Sequence, residues 1–181
     1  MGIEACVKNI KLLVLDVDGV LTDGHIIFGT TGELLKNFHS HDGLGIALAH
    51  QAGMKTAIIT GRESQIVHLR SIELKIMDVH QGARDKLETL SVLLNKYSLC
   101  SDEVAYVGDD LLDLSIMSQV GLACAVANAV PEVKQHAHFI TTKQGGQGAV
   151  REVVEFILKT QGKWNDIINS YLQGGNIESR Q

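Results

Sequence analysis

The sequence predicts an α/β fold: a Rossmann-like, doubly wound parallel sheet in one domain, with a projecting β-hairpin. Three observations carry this. Short apolar runs of strand length alternate with longer stretches of helical periodicity, the pattern of parallel strands joined by crossover helices. The central runs are continuously apolar, as in strands buried on both faces. A chain of 181 residues with 45% hydrophobic content can bury one sizeable core and shows no break for a second.

The first strand is Leu12-Leu13-Val14-Leu15, with Asp16 and Asp18 at its carboxyl end, where open α/β sheets keep their chemistry. At strand spacing the two carboxylates share a side, and Gly19 lets the chain turn so that both face one polar centre. Acids this close repel unless a cation or a shared proton lies between them. For an isolated Asp-x-Asp an acidic turn capping a strand is the better explanation, so partners further along decide. Residues 25–38 read as the hairpin: His25-Ile26-Ile27-Phe28 and Leu34-Leu35-Lys36-Asn37-Phe38 flank Gly29-Thr30-Thr31-Gly32-Glu33. Its apolar residues either pair with copies in other subunits or fold back over the chain's own core. Asp42 is placed to cap a helix through Leu44, Ala47 and Leu48, ended by a left-handed Gly53.

Thr56-Ala57-Ile58-Ile59 is the second buried strand and runs into Thr60-Gly61-Arg62, a hydroxyl and a cation at another strand end. The helix that follows can turn its first N–H groups toward an anion. A third strand is expected over 75–79. Gly82 to Lys86 open a long amphipathic helix with Leu87, Leu90, Leu93 and Leu94 at helical spacing. Val104-Ala105-Tyr106-Val107 is the fourth strand and leads into Gly108-Asp109-Asp110-Leu111-Leu112-Asp113. Residues 122–126 and 139–141 finish the sheet, with a short helix begun by Pro131 between them. A helix over 148–159 closes a domain of residues 1–162, and 163–181 read as a polar, mobile tail.

Composition narrows the function. A net charge of -5 argues against a dedicated nucleic-acid binder. No apolar run approaches membrane-spanning length, and Met1-Gly2-Ile3-Glu4-Ala5-Cys6 lacks the layout of an export signal. Cys6, Cys100 and Cys124 are odd in number and far apart, which speaks against a disulfide framework and for a reducing cytoplasm. His39-Ser40-His41 and the pair His136 and His138 suggest a zinc site, but no further ligands lie at suitable spacing.

Four strand ends now carry distinct chemistry, and in a parallel sheet these ends lie side by side. Asp16, Asp18 and Asp109 supply hard oxygen ligands suited to Mg²⁺. Thr60 and Lys86 can hold the remaining oxygens of a phosphate. Each alone has an ordinary explanation as a turn hydroxyl, a solvated lysine or a capping acid; together and in this order they point to one site. Between Asp18 and Thr60 the chain fits only a hairpin and one helix, and between Thr60 and Lys86 only a helix and a strand. No lid domain fits in either place, so a neighbouring subunit is expected to cover the site, through the Gly145 region or the tail.

These residues resemble a known family. Asp-x-Asp-Gly-Val-Leu-Thr at 16–22, Thr60, Lys86 and Gly-Asp-Asp-x-x-Asp at 108–113 are similar to the four motifs of the haloacid dehalogenase superfamily of phosphohydrolases. Within it, Phe38-His39, Asp42-Gly43-x-Gly45-Ile46, Ile58-Ile59-Thr60-Gly61-Arg62, Gln81-Gly82 and Gly145-Gly146-x-Gly148-Ala149-Val150-Arg151-Glu152 resemble the capless phosphatases of a phosphorylated eight-carbon sugar acid of the lipopolysaccharide inner core. The resemblance implies a cytoplasmic homotetramer whose hairpins form a central barrel. It implies Asp16 as nucleophile, Asp18 as acid and base, and Thr60 and Lys86 as stabilisers of the transferring phosphoryl group. Mg²⁺ would be bound by Asp16, the Asp18 backbone carbonyl and Asp109, with Asp110 and Asp113 orienting Lys86 or the metal's waters. The implied substrate contacts are Gly61, Arg62, Arg70 and Arg151.

Two positions depart from the pattern: His41 and Gln147 stand where the family usually has arginine. Both remove positive charge that could hold a sugar-acid carboxylate. Three other readings stay open: a phosphatase for a nine-carbon sugar acid, a phosphotransferase to an alcohol, and a noncatalytic oligomerisation module, against which the intact motifs argue.

Overall fold

The computed structural model describes residues 3–174. A short helix α1 (Ile3–Val7) precedes the central strand β1 (Leu12–Leu15). The hairpin follows as β2 (Ile27–Gly29) and β3 (Gly32–Leu35), then α2 (Ser40–Gln51), β4 (Lys55–Ile59), α3 (Gln65–Glu73), β5 (Asp78–His80) and α4 (Lys86–Tyr97). The second half runs β6 (Val104–Gly108), α5 (Leu114–Met117), β7 (Leu122–Ala125), α6 (Pro131–His136), β8 (Phe139–Ile140), α7 (Ala149–Thr160) and α8 (Trp164–Leu172).

Six strands form one sheet in the order β5-β4-β1-β6-β7-β8, every neighbouring pair parallel. The chain starts at β1, winds outward through β4 to β5, then returns to β6 and winds out the other way. The reversal between β1 and β6 opens a crevice at the strands' carboxyl ends, where ligands of doubly wound sheets bind. The four residues of β1 and all of β6 are buried. Burying aliphatic side chains at roughly 1.5–3 kcal/mol each is what holds this rim rigid.

The structure corrects several expectations. The third strand starts later, at Asp78, because Lys75 takes a left-handed φ of 56° after α3. The N-cap of α2 is His39, whose ring nitrogen Nδ1 accepts from the His41 amide; Asp42 instead lies buried in the first turn. Its carboxylate accepts from the amides of Gly148, at 3.2 Å, and Arg151, at 2.8 Å, so it caps α7 across the interface of the two helices. α7 begins on Gly148, which has no capping side chain of its own. Burial pushes the Asp42 carboxyl pKa up, opposed by these amides. Leu87 faces outward, whereas Leu90 and Leu93 enter the core. The segment read as a tail forms α8, because Trp164, Ile167, Ile168 and Tyr171 recur at helical spacing; Ile167 is buried and Trp164 packs against the core. Residues 175–181 of that tail lie outside the described residues.

Candidate active site

Register places the acids together. Leu15 pairs with Ile58 on one side and Val107 on the other, so Asp16 leaves β1 beside the end of β4 and next to Gly108–Asp109. The loop after Asp18 is drawn tight: Gly19 has φ +90°, and any side chain there would strike the Asp109 carboxylate. Gly145 lies against the Gly19 carbonyl, and the Gly146 amide donates to Val20 O at 3.0 Å. The Gly145 region thus buttresses the loop that follows Asp18 in its own chain.

Asp16, Asp109 and Asp113 each bring a carboxylate oxygen within 4.8 Å of the others. Asp113 is fully buried and already supplied with donors: Lys86 Nζ at 2.6 Å, Tyr106 OH at 2.6 Å, and the amides of Asp109 at 2.8 Å and Asp110 at 3.2 Å. Lys86, itself 5% exposed, also lies 3.1 Å from Asp16 Oδ1 and 3.1 Å from Tyr106 OH. The two form a buried ion pair, and Oδ1 has no further partner among the described residues. A buried carboxylate served by a single cation is costly. Oδ1 of Asp16, with the carboxylate of Asp109, offers hard oxygen donors that fit Mg²⁺.

The electrostatics record the same strain. Burial pushes the Asp16 carboxyl up to about 6; Lys86 pulls it down and Asp113 pushes it further up. Burial, then repulsion from Asp16, Asp113 and Asp110, raises Asp109 to about 7. Burial works against the Lys86 ammonium, but Asp16 and Asp113 more than offset it and hold its pKa above the ordinary lysine value. The buried Tyr106 phenol is held well above its usual range by burial and by Asp113.

Thr60 leaves β4 nearly buried, and its hydroxyl makes no hydrogen bond among the described residues. Its amide donates to His80 O and its carbonyl accepts from Ala83 N, so the backbone is fixed while the hydroxyl stays free. Gly61 continues into this loop close to the Ala83 carbonyl. Asp18 turns away from the cage: Lys36 Nζ bonds its Oδ1, and Arg62 Nε lies 3.6 Å from Oδ2. Asp110 caps its own 3₁₀ turn, accepting from Leu111 N at 2.7 Å. Arg70 and Arg151 lie in other grooves. Arg70 pairs with Glu73 at 2.7 Å and stacks over Phe38, beside a groove of about 470 Å³. Arg151 pairs with Glu155 at 2.8 Å and covers Trp164, beside a groove of about 490 Å³ that also contains His41 and Gln147.

Sequence reasoning missed Lys36, Glu33, Ser64 and Tyr106. A tyrosine inside an otherwise aliphatic strand is a usable signal, because a buried phenol needs a partner. Lys36 gave none, since a lysine on a hairpin is normally solvated.

The doubly wound sheet and its acidic cage with a buried lysine define a haloacid dehalogenase-like hydrolase, and the family model of that description matches residues 57–153. A phosphatase of 3-deoxy-D-manno-octulosonate 8-phosphate from Salmonella typhi is 47% identical over 159 residues, covering 88% of this chain and 85% of the relative. The Moraxella catarrhalis phosphatase of that name, solved in complex with magnesium ion, phosphate ion and a KDO molecule, superposes with a TM-score of 0.91 at 43% identity, covering 93% of this chain and 97% of that one. The Yersinia pestis phosphatase gives a TM-score of 0.88 at 44% identity, covering 90% and 88%. The chain belongs to the family of 3-deoxy-D-manno-octulosonate 8-phosphate phosphatases. Among the described residues no helix is long and apolar enough to cross a membrane.

Proposed function

We propose that the protein is a Mg²⁺-dependent phosphomonoesterase that hydrolyses 3-deoxy-D-manno-octulosonate 8-phosphate to the sugar acid and inorganic phosphate, in lipopolysaccharide core synthesis. The observation that carries the reading is the buried cage in which Asp16, Asp109 and Asp113 bring carboxylate oxygens within 4.8 Å of one another, with Lys86 Nζ 3.1 Å from Asp16 Oδ1. Asp16 attacks phosphorus in line and forms an aspartyl-phosphate as the ester bond breaks. Asp18 gives a proton to the departing sugar oxygen, then takes one from the water that opens the aspartyl-phosphate. The Thr60 hydroxyl and the Lys86 ammonium hold the equatorial oxygens, stabilising charge where it grows in the transition state. Mg²⁺, held by Asp16, Asp109 and the Asp18 backbone carbonyl, supplies charge neutralisation. Asp113 fixes Lys86 and the Asp109 loop, while Asp110 caps the turn between them.

Gly61 and Arg62 are assigned to the substrate beside Thr60, and Arg70 and Arg151 to the sugar acid in an assembled homotetramer. The assembly is inferred from the hairpin: Phe28 and Leu34 are each 61% exposed, more apolar surface than an isolated two-stranded ribbon keeps in water without a partner. Free thiols at Cys6, Cys100 and Cys124 suit the cytoplasm.

Phosphate release from the eight-carbon and a nine-carbon sugar-acid phosphate, with and without Mg²⁺, tests the reading. The eight-carbon ester should turn over faster, only with the metal, and Asp16→Asn should be inactive but folded. Preference for the nine-carbon acid would reassign the substrate, and turnover by Asp16→Asn would reject the covalent route.

A further inference from the structure

Lys36 follows β3 on the hairpin, yet its side chain is only 1% exposed. Its ammonium bonds Asp18 Oδ1 and forms an ion pair, at 3.0 Å, with Glu33 Oε1. The other oxygen of Glu33 accepts from Ser64 Oγ, and Ser64 is in turn the N-cap of α3, with its amide donating to Gln81 at 2.7 Å. A chain of contacts therefore runs from the loop after Thr60, through Glu33 and Lys36, to the carboxylate of Asp18. Burying an ammonium between two carboxylates adds little net stability, because desolvation consumes most of the attraction. What it does supply is geometry. A free aspartate exchanges its two oxygens by rotating about a soft terminal torsion; here Oδ1 is held and only Oδ2 stays available, with Arg62 at 3.6 Å.

We propose that Lys36 is a positioning residue for proton transfer: it holds Oδ1 of Asp18 so that Oδ2 faces the leaving oxygen and later the attacking water. This rests on the phosphatase reading above, in which Asp18 is the acid and base. The proton balance is unchanged; Lys36 neither gives nor takes a proton and acts only through Asp18.

Leaving-group dependence separates positioning from a merely structural clamp. The sugar alkoxide needs a proton to depart, whereas nitrophenolate departs without one. Measured as kcat/KM at matched oligomeric state, Lys36→Met should lose about a hundredfold or more on the sugar phosphate, the usual worth of general acid catalysis. On p-nitrophenyl phosphate the loss should stay below about tenfold, because the acid contributes little to that bond cleavage. Lys36→Arg should recover most of the sugar-phosphate loss, and Asp18→Asn should cost far less in the Lys36→Met background than in the parent. Equal losses on both esters, or additive costs of the two substitutions, overturn the inference. Should Lys36→Met not fold, Lys36→Gln with Glu33→Gln, which removes one charge of each sign, is assayed with the same expectations and the same overturning results. A parent enzyme that hydrolyses neither ester overturns the phosphatase reading itself and this inference with it; a parent active on both isolates the inference.

Discussion

Magnesium should stabilise this protein strongly at pH 8 and weakly at pH 5.5. Two carboxyl pKa values are raised in the fold, to about 6 for Asp16 and about 7 for Asp109 against 3.8 in the unfolded chain. Because the folded state holds these protons more tightly, the metal-free protein loses stability as pH rises from about 4 through 6 and 7, and the loss levels off above that. A divalent cation offsets the same repulsion but must displace the protons. At pH 5.5, half a unit below one value and one and a half below the other, roughly a quarter of Asp16 and a thirtieth of Asp109 are ionised, so both together in under about 1% of molecules. At pH 8 both are largely ionised. Mg²⁺ affinity should then fall by about a hundredfold, or ~2.7 kcal/mol, between the two conditions. At a magnesium concentration near 100 times the pH 8 dissociation constant, stabilisation is ~2.7 kcal/mol at pH 8 and ~0.4 kcal/mol at pH 5.5. For a domain of this size that is a rise in Tm of about 5–10 °C against about 1–2 °C. Differential scanning fluorimetry with MgCl₂, using NaCl at equal ionic strength as the control, measures both. Equal shifts at the two pH values would refute the coupling of proton and metal at Asp16 and Asp109.

Two further outcomes follow from particular contacts. Asp113→Ala leaves the buried Lys86 ammonium with Asp16 as its one carboxylate among the described residues and strips the acceptor from two backbone amides and the Tyr106 phenol. It should cost about 3–5 kcal/mol in urea unfolding, and a cost under about 1 kcal/mol would show that Asp113 does not anchor the cage. Leu34→Glu places a charge on the apolar face of the hairpin, remote from the fold's core; it should shift the protein to monomers in light scattering coupled to gel filtration, and an unchanged assembly would remove the hairpin from the interface.

The strand ends were legible because their chemistry is local. Asp16, Thr60 and Asp109 sit directly after buried apolar runs, and Lys86 opens a helix, so residue type and position in the repeat were enough to group them. What stayed hidden depends on contacts distant in the chain. Asp42 reads as a cap for its own helix, but its acceptors serve Gly148 and Arg151, more than a hundred residues away. The hairpin reads as either an interface or a fold-back. Glu33 and Lys36 turn inward to Ser64 and Asp18 and Phe28 lies under the Arg62 guanidinium, while Leu34 is left exposed. The helix over Trp164–Leu172 was within reach of periodicity and was masked by the glycines and polar residues around it.

The inward contacts of the hairpin explain how an acidic chain can keep an anion site. In the connected network around the sheet's rim, the carboxylates of Asp16, Asp18, Glu33, Asp109 and Asp113 face the cations of Lys36, Arg62 and Lys86. The two negative charges left over are what one divalent ion cancels, and they lie on the Asp16–Asp109 side, where the pKa values are raised. On the Asp18 side the protein's own lysine and arginine do that work. The Asp16 half of the site therefore depends on a metal for neutrality, whereas the Asp18 half is neutralised by the fold. A chelator should abolish phosphate release while leaving the Lys36–Asp18 pair in place.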